Sequence, residues 1–289
     1  GEIITTPFSY VATSSAIAWE NCTTVFADIL PDSFCIDPSK IEPLITSKTS
    51  AIIATHVFGN ACEIDAIQAI AKKYGLKVIY DAAHAFDINY KGRSIFSYGD
   101  ISICSFHATK LFHTVEGGAI VSNTKELQQK IKVLHQFGHD YDDYQDIGMN
   151  AKISELHAAM GLCILPYMDD IKGKRQKVYE HYSNTLSQES CNFDRSKDSQ
   201  YNFAYFPVLF ESEEEMIAVF NELKSKSIHP RRYFYPSLNT LPFYGNQSCP
   251  VSEDIASRVL CLPFFPDLSC EEINTISKTI NSITNGPVL

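Results

Sequence analysis

Residues 102–123 read SICSFHATKLFHTVEGGAIVSN. Lys110 stands there between two apolar, strand-like runs, among Ser, His, Thr and Gly, whereas an ordinary lysine lies on a helix face with its ammonium in water. Two apolar runs end on polar residues that could join it. LKVIYD closes on Asp81, with His84 following in DAAHA, and ISICS closes on Ser105, five residues before Lys110. An amine, a carboxylate and a hydroxyl gathered at strand ends meet the needs of a pyridoxal phosphate site. The lysine forms the Schiff base, the carboxylate keeps the pyridine nitrogen protonated so that the ring accepts electrons, and hydroxyls bind phosphate. Taken singly, Asp81 reads equally well as a helix N-cap after a strand, and Lys110 as a surface lysine. The constellation favours chemistry.

The surrounding elements must supply those strand ends. AIIATHVFG, EIDAIQAIAKKYG, LKVIYDAAHA, ISICSFHA, GGAIVSN and TKELQQKIKVLHQFG alternate short Val/Ile-rich runs with helix-period segments. That alternation predicts an α/β domain with a mainly parallel central sheet flanked by helices, in which ligands bind beyond the carboxyl ends of the strands. In the helix EIDAIQAIAKKYG, Ile64, Ile67, Ile70 and Ala71 share one face. Lys72 and Lys73 suit its negative end, and Gly75 is a C-cap. After GHDYDDYQDIGMN a long helical stretch begins, interrupted near Pro166. FAYFPVLF, SEEEMIAVFNELKSKSI and IHPRRYFYPSL then read as a smaller α+β domain. The boundary is expected near residue 170, giving a large domain over 1–170 and a small C-terminal domain over 171–289.

Composition narrows the partners. The 289 residues are 45% hydrophobic and 20% charged, with a net charge of -10 and no massed Lys or Arg, so the basic stripe that nucleic acid requires is missing. No apolar run is long enough to span a bilayer, which argues against a membrane partner. Nine cysteines, at 22, 35, 62, 104, 163, 191, 249, 261 and 270, are dispersed and never form Cys-x-x-Cys. They fit reduced thiols in a cytoplasm rather than a disulfide or zinc framework. The opening GEIITTPFSY resembles the interior of a strand, from which an upstream segment of the first domain is expected.

DAAHA, GDISICSFHATK, EGGAIVSN and GMNAKISELHAAMG, in that order and spacing, resemble the DegT/StrS family of pyridoxal phosphate dependent sugar aminotransferases, which have the fold type I aminotransferase architecture. The resemblance runs from residue 1 to about 185 and more faintly through IHPRRYFYP. It implies that Lys110 carries the cofactor and later moves the proton at the reacting carbon, and that Asp81 pairs with the pyridinium nitrogen. It also implies that Ser105 binds phosphate, that His84 lies near the ring on its O3' side, and that Tyr10, in TTPFSYVAT, stacks on the ring. Asn150, in GMNAKISE, matches an asparagine that reaches the phosphate of the neighbouring subunit's cofactor, which implies a homodimer with shared active sites. A buried structural histidine remains the alternative for His84, and a core aromatic the alternative for Tyr10. Two departures stand out: the family's upstream phosphate-binding turn has no counterpart here, and Lys152 stands where Arg is common.

Family members with SFHxxK followed by EGG resemble those acting at C4 of a nucleotide-linked keto sugar, whereas C3 enzymes tend towards SFYPxK. SFHATKLFHTVEGG therefore implies transfer of an amino group from L-glutamate to C4 of a nucleotide-linked 4-keto-6-deoxyhexose. Arg231, in PRRYFYP, is a candidate contact for the anionic substrate, its guanidinium matching phosphate or carboxylate. A surface arginine is the alternative. A C3 aminotransferase, a sugar dehydratase of the same family and a non-catalytic binding or regulatory member are the rival readings. Lys110 opposes the dehydratase, which has histidine there, and the Lys110 and Asp81 pair opposes a pure binder. No Gly-x-Gly-x-x-Gly follows a strand, which disfavours a dinucleotide enzyme. His135 and His139 beside the acidic HDYDDYQD lack the ligand pattern of a calcium or zinc site, so no metal is expected.

Overall fold

The computed structural model describes residues 1–186, 193 and 195–284. Cys191 lies outside them, and the eight other cysteines are free thiols. The order of elements begins β1 (Glu2–Thr5), α1 (Val11–Trp19), β2 (Thr23–Phe26), β3 (Thr49–Thr55), α2 (Ile64–Tyr74) and β4 (Lys77–Asp81). It continues with β5 (Ile101–Ser105), β6 (Gly118–Ser122), α3 (Lys125–Leu134), α4 (Glu155–Ile164) and α5 (Met168–Thr185). Then come β7 (Pro207–Leu209), α6 (Glu213–Ser225), α7 (Pro250–Arg258), β8 (Val259–Cys261) and α8 (Cys270–Thr284).

One six-stranded sheet has the order β2-β1-β3-β4-β5-β6. Its first five strands are mutually parallel, and β6 runs antiparallel to β5, pairing Ile101 with Ser122 and Ser105 with Gly118. β1 therefore has β2 on one side and β3 on the other. The chain reverses its winding there, which opens a crevice at the carboxyl ends of the strands. Asp81 ends β4 and Ser105 ends β5, on neighbouring strands.

The amphipathic pattern accounts for α2. Ile64, Ile67 and Ala71 are buried and Ile70 is partly so, while Gly75 at φ 68 caps the last turn with its N–H on the Ala71 carbonyl. Thr124, Ser154 and Ser212 cap α3, α4 and α6 through their side-chain oxygens, as short hydroxyl residues do at exposed amide ends. The helical stretch interrupted at Pro166 resolves into α4, a 3-10 turn over Leu165–Tyr167 and α5.

Two principal cores form. The first packs the sheet's inner face with Phe8, Phe34, Phe58 and Tyr80, and it also takes Phe234, Ile255, Val259 and Cys261 from the C-terminal part of the chain. The second joins Val178 and Tyr182 of α5 to Phe206, Val208, Met216, Leu260, Ile273 and Ile280. Asp28, just after β2, ties the C-terminal part of the chain to the first core. Its carboxylate accepts the Val251 and Ser252 N–H groups at 3.0 and 2.9 Å, in the first turn of α7. A carboxylate there satisfies orphan amides and faces the positive end of the helix dipole.

Candidate active site

Asp81 is 7% exposed and held from two sides. The Ala83 N–H donates to Oδ1 at 3.1 Å, and the Thr13 hydroxyl donates to Oδ2 at 2.6 Å. Thr13 is oriented in turn by a buried run of hydroxyls: Ser9 Oγ lies 2.9 Å from Thr13 Oγ1 and 3.1 Å from Thr55 Oγ1. Donors aimed at a carboxylate stabilise its charged form and fix its direction. The turn that starts α1 makes this possible, since the Thr13 N–H bonds the Tyr10 carbonyl at 3.1 Å and so swings the Thr13 side chain towards β4.

Lys110 hangs in the loop between β5 and β6. That loop is pinned at its base, Phe106 N–H to Gly117 O at 2.9 Å and Thr114 N–H to Phe106 O at 2.8 Å. Gly117, at φ 153, permits the closure, because a Cβ there would lie 2.4 Å from Thr114 Oγ1. Gly161 lets α4 pack against the same loop, its missing Cβ being 2.8 Å from Thr114 Cγ2. The Lys110 amine is largely buried, and burial lowers its pKa from the ordinary lysine range while the Asp81 charge opposes that shift. The Cys104 thiol, pushed up to about 12 by burial and by Asp81, is uncharged at neutral pH and leaves Asp81 as the opposing charge. Lys110 Nζ donates to the Tyr205 hydroxyl at 3.3 Å.

His84 is buried in an aromatic stack. It is nearly parallel to Phe58 and to Phe234, with centroids 6.2 and 5.7 Å away, and its ring lies 4.5 Å from that of Tyr205. Its Nδ1 accepts the Phe58 N–H at 3.1 Å, so the neutral ring carries its proton on Nε2. Burial first, and the positive charge of Lys110 second, hold this imidazole neutral well below its usual pKa. Lys110 thus lies within electrostatic reach of both Asp81 and His84.

The remaining sequence candidates lie further out. Ser105 is half-buried at the end of β5, its hydroxyl oxygen accepting the His107 N–H at 3.3 Å. Tyr10 is 61% exposed at the start of α1 and neighbours Tyr233, whose phenol is raised by burial. Arg231 is exposed beside the same Tyr233, with its backbone paired to Cys261. Asn150 is exposed, bridged to Gln136, and accepts a hydrogen bond from Lys152. Among the described residues it makes no contact with Lys110, Asp81 or Ser105.

Several site residues escaped the sequence reading. Ser9 and Thr13 lie in TTPFSYVAT, and Tyr233 and Phe234 in IHPRRYFYP, without a role assigned to them there, and Thr55 and Tyr205 carried no motif. Their signal would have been polar or aromatic residues inside apolar runs, which is too common a pattern to single them out.

The donor set suits pyridoxal phosphate: a carboxylate held by donors at one strand end, an amine destabilised as a cation beside it, and a hydroxyl at the next strand end. Together with the sheet, these features define an α/β enzyme of fold type I. The sequence profile of the DegT/DnrJ/EryC1/StrS aminotransferase family matches residues 1–281, and the chain belongs to that family, whose cofactor is pyridoxal phosphate. A dTDP-4-amino-4,6-dideoxy-D-glucose transaminase of Shigella dysenteriae is 44% identical over 98% of this chain and 80% of its own length. A dTDP-3-amino-3,6-dideoxy-alpha-D-galactopyranose transaminase of Aneurinibacillus thermoaerophilus is 31% identical over 97% of this chain and 78% of its own. Among solved structures, DesI in the presence of its TDP-sugar product superposes with a TM-score of 0.92 at 33% identity, covering 99% of this chain and 76% of that one.

Proposed function

We propose that this enzyme moves an amino group from L-glutamate to C4 of a nucleotide-linked 4-keto-6-deoxyhexose. The observation that carries the proposal is the pairing of Asp81, fixed by the Thr13 hydroxyl at 2.6 Å, with the desolvated Lys110 amine. Pyridoxal phosphate bound there would supply an aldehyde for amine exchange and, with its ring nitrogen protonated, an electron sink. Asp81 would keep the proton on that nitrogen. Lys110 would hold the cofactor and move the proton at the carbon that gains or loses the amine, and its lowered pKa leaves more of it in the uncharged, reactive form at neutral pH. With the cofactor bound, Ser105 would hold its phosphate, and Tyr10 and His84 would lie near its ring. Arg231, at the rim beside Tyr233, takes the anionic part of the substrate.

C4 is favoured over C3 by the SFHATK and EGG pattern, and by the 44% identity to a transaminase named for a 4-amino sugar against 31% to one named for a 3-amino sugar. A homodimer with shared sites is supported by the exposed apolar side chains around Asn150: Ile147, Met149, Leu156 and Leu162, the first of them 93% exposed. A cytoplasmic setting is supported by the free thiols, and no helix among the described residues is long and apolar enough to cross a membrane. The two-domain division near residue 170 is supported by the second core, which begins at α5.

The test is incubation of the protein with pyridoxal phosphate, L-glutamate and a dTDP-linked 4-keto-6-deoxyhexose, followed by mass and NMR analysis of the sugar. A 4-amino sugar is expected. No product from the 4-keto sugar but a 3-amino sugar from the corresponding 3-keto isomer, or a 4-keto sugar that loses a ring hydroxyl, would replace this reading with the C3 aminotransferase or the dehydratase.

A further inference from the structure

The hydrogen-bond partner of Lys110, Tyr205, belongs to none of the motifs, and the chain goes to considerable lengths to hold it. Residues 201–206 have no regular secondary structure, yet they are tied down from both sides. Asn202, fully buried, donates from Nδ2 to the carbonyl oxygens of His84 and Phe86 at 2.9 Å each, and its Oδ1 accepts the Ala204 N–H at 3.1 Å. Arg175 reaches in from α5, with Nε donating to Phe203 O at 2.8 Å and Nη2 to Ala204 O at 2.7 Å. The Tyr201 hydroxyl donates to the Tyr205 carbonyl at 2.7 Å.

Arg175 is buried without a carboxylate partner among the described residues, and burial lowers its pKa to about 10. An unpaired buried guanidinium opposes folding, so its two carbonyl bonds and its stacking on Phe264 at 4.8 Å mark a segment whose position is enforced. Phe203, at φ 53, adds a left-handed backbone that a bulky residue adopts only when its surroundings impose it. Gly59 completes the fit, because a Cβ there, at φ 84, would sit 2.7 Å from Asn202 Oδ1. The result is a phenol 3.3 Å from Lys110 Nζ, with its ring against His84 and 6.2 Å from that of Tyr233.

We propose that Tyr205 is a positioning residue for the reactive amine: its phenol oxygen accepts a hydrogen from Lys110 Nζ and sets the rotation about the Cε–Nζ bond, leaving the nitrogen lone pair directed away from the phenol. The proposal rests on the reading of Lys110 as the reacting amine. Burial keeps the phenol protonated and neutral, well above its ordinary pKa. Of the groups facing Lys110, namely Asp81, His84, Cys104 and Tyr205, only Asp81 is charged at neutral pH. An acceptor at this distance favours the ammonium over the amine, so removing it shifts the titration of Lys110 downward.

The test is the pH dependence of Lys110 labelling by an amine-directed reagent in protein without cofactor, read by peptide mass spectrometry. Wild type is compared with Tyr205→Phe, which keeps the ring, and with Tyr205→Leu, which does not. The labelling midpoint of Tyr205→Phe is expected to fall by about half a pH unit or more. In the holoenzyme, its kcat is expected to fall about tenfold with the KM for glutamate within about twofold. A folded Tyr205→Phe protein with the wild-type midpoint and labelling rate overturns the proposal, as does a shift seen only in Tyr205→Leu, which would assign the effect to ring packing. If the midpoint shifts while added pyridoxal phosphate gives no visible absorbance band, the positioning role stands and the cofactor reading fails. If the band forms and the midpoint is unmoved, the cofactor reading stands and the positioning role fails.

Discussion

The end of β4 and the loop after β5 treat their ionisable groups in opposite ways. Asp81 is surrounded by donors, a backbone N–H and a hydroxyl backed by two further hydroxyls, so its direction is fixed. Lys110 is desolvated, which destabilises its charge, and the Asp81 carboxylate and the single Tyr205 phenol that accepts from it offset this only in part. On the proposed reading, the group that stays ionised is given several hydrogen bonds, whereas the group that alternates between amine and bonded forms is given one long one. Asp81 ends β4 and Lys110 lies in the loop that follows the neighbouring β5, and the contrast arises from what the flanking segments bring to each.

Removing either side of the contrast should have the largest effects. Lys110→Ala should lower amino transfer at least about a thousandfold, measured as amino sugar formed per enzyme. Asp81→Asn keeps the shape and loses the charge, and should lower kcat by about a hundredfold or more with the fold intact by circular dichroism. Asn202→Ala frees the segment that carries Tyr205 and leaves the His84 and Phe86 carbonyls short of a donor. A loss of about 2 kcal/mol in denaturant unfolding is expected, with about a tenfold drop in activity. Thr13→Val should be milder, about a threefold to tenfold loss of activity, with Thr13→Ser restoring most of it because the hydroxyl returns.

A second pair sharpens the same lesson. His56 and His84 are both buried neutral imidazoles, but among the described residues His56 faces no charged group. It stacks on Tyr80 at 4.6 Å, accepts the Cys62 N–H, and is lowered by burial from the usual 6.5 to about 3. Its folded pKa lies below its unfolded one, so the stability it contributes is fully present above pH 6.5 and is lost progressively as the pH falls from 6.5 towards 3. In equilibrium unfolding, His56→Gln should flatten the pH dependence across that window. His84→Gln should flatten it too and should also alter the Lys110 labelling midpoint, which His56→Gln should leave unchanged.

Much of the fixed half of the site was legible in the sequence, because an apolar run ending in Asp81, and another in Ser105, announces a strand and its carboxyl end together. The α2 helix was equally open, with one apolar face and Gly75 as its stop. The supports were not. Ser9 and Thr13, at the start of α1, meet Thr55 of β3 only in the fold, and hydroxyl residues inside apolar runs are too common to signal a contact. Tyr205, Asn202 and Arg175 arrive from the C-terminal half, and periodicity reports which face of an element is apolar without naming the core it joins. For the same reason nothing in the sequence indicated that Phe234, Ile255 and Val259 would pack into the core of the sheet.

The proposed division of labour between Asp81 and Lys110 is tested most directly by reduction. Protein mixed with pyridoxal phosphate is treated with borohydride and digested, and the pyridoxyl label is mapped by mass spectrometry. A stoichiometric label on Lys110, still formed in Asp81→Asn and absent in Lys110→Ala, is predicted. A label spread over surface lysines, or one that survives Lys110→Ala undiminished, would contradict it.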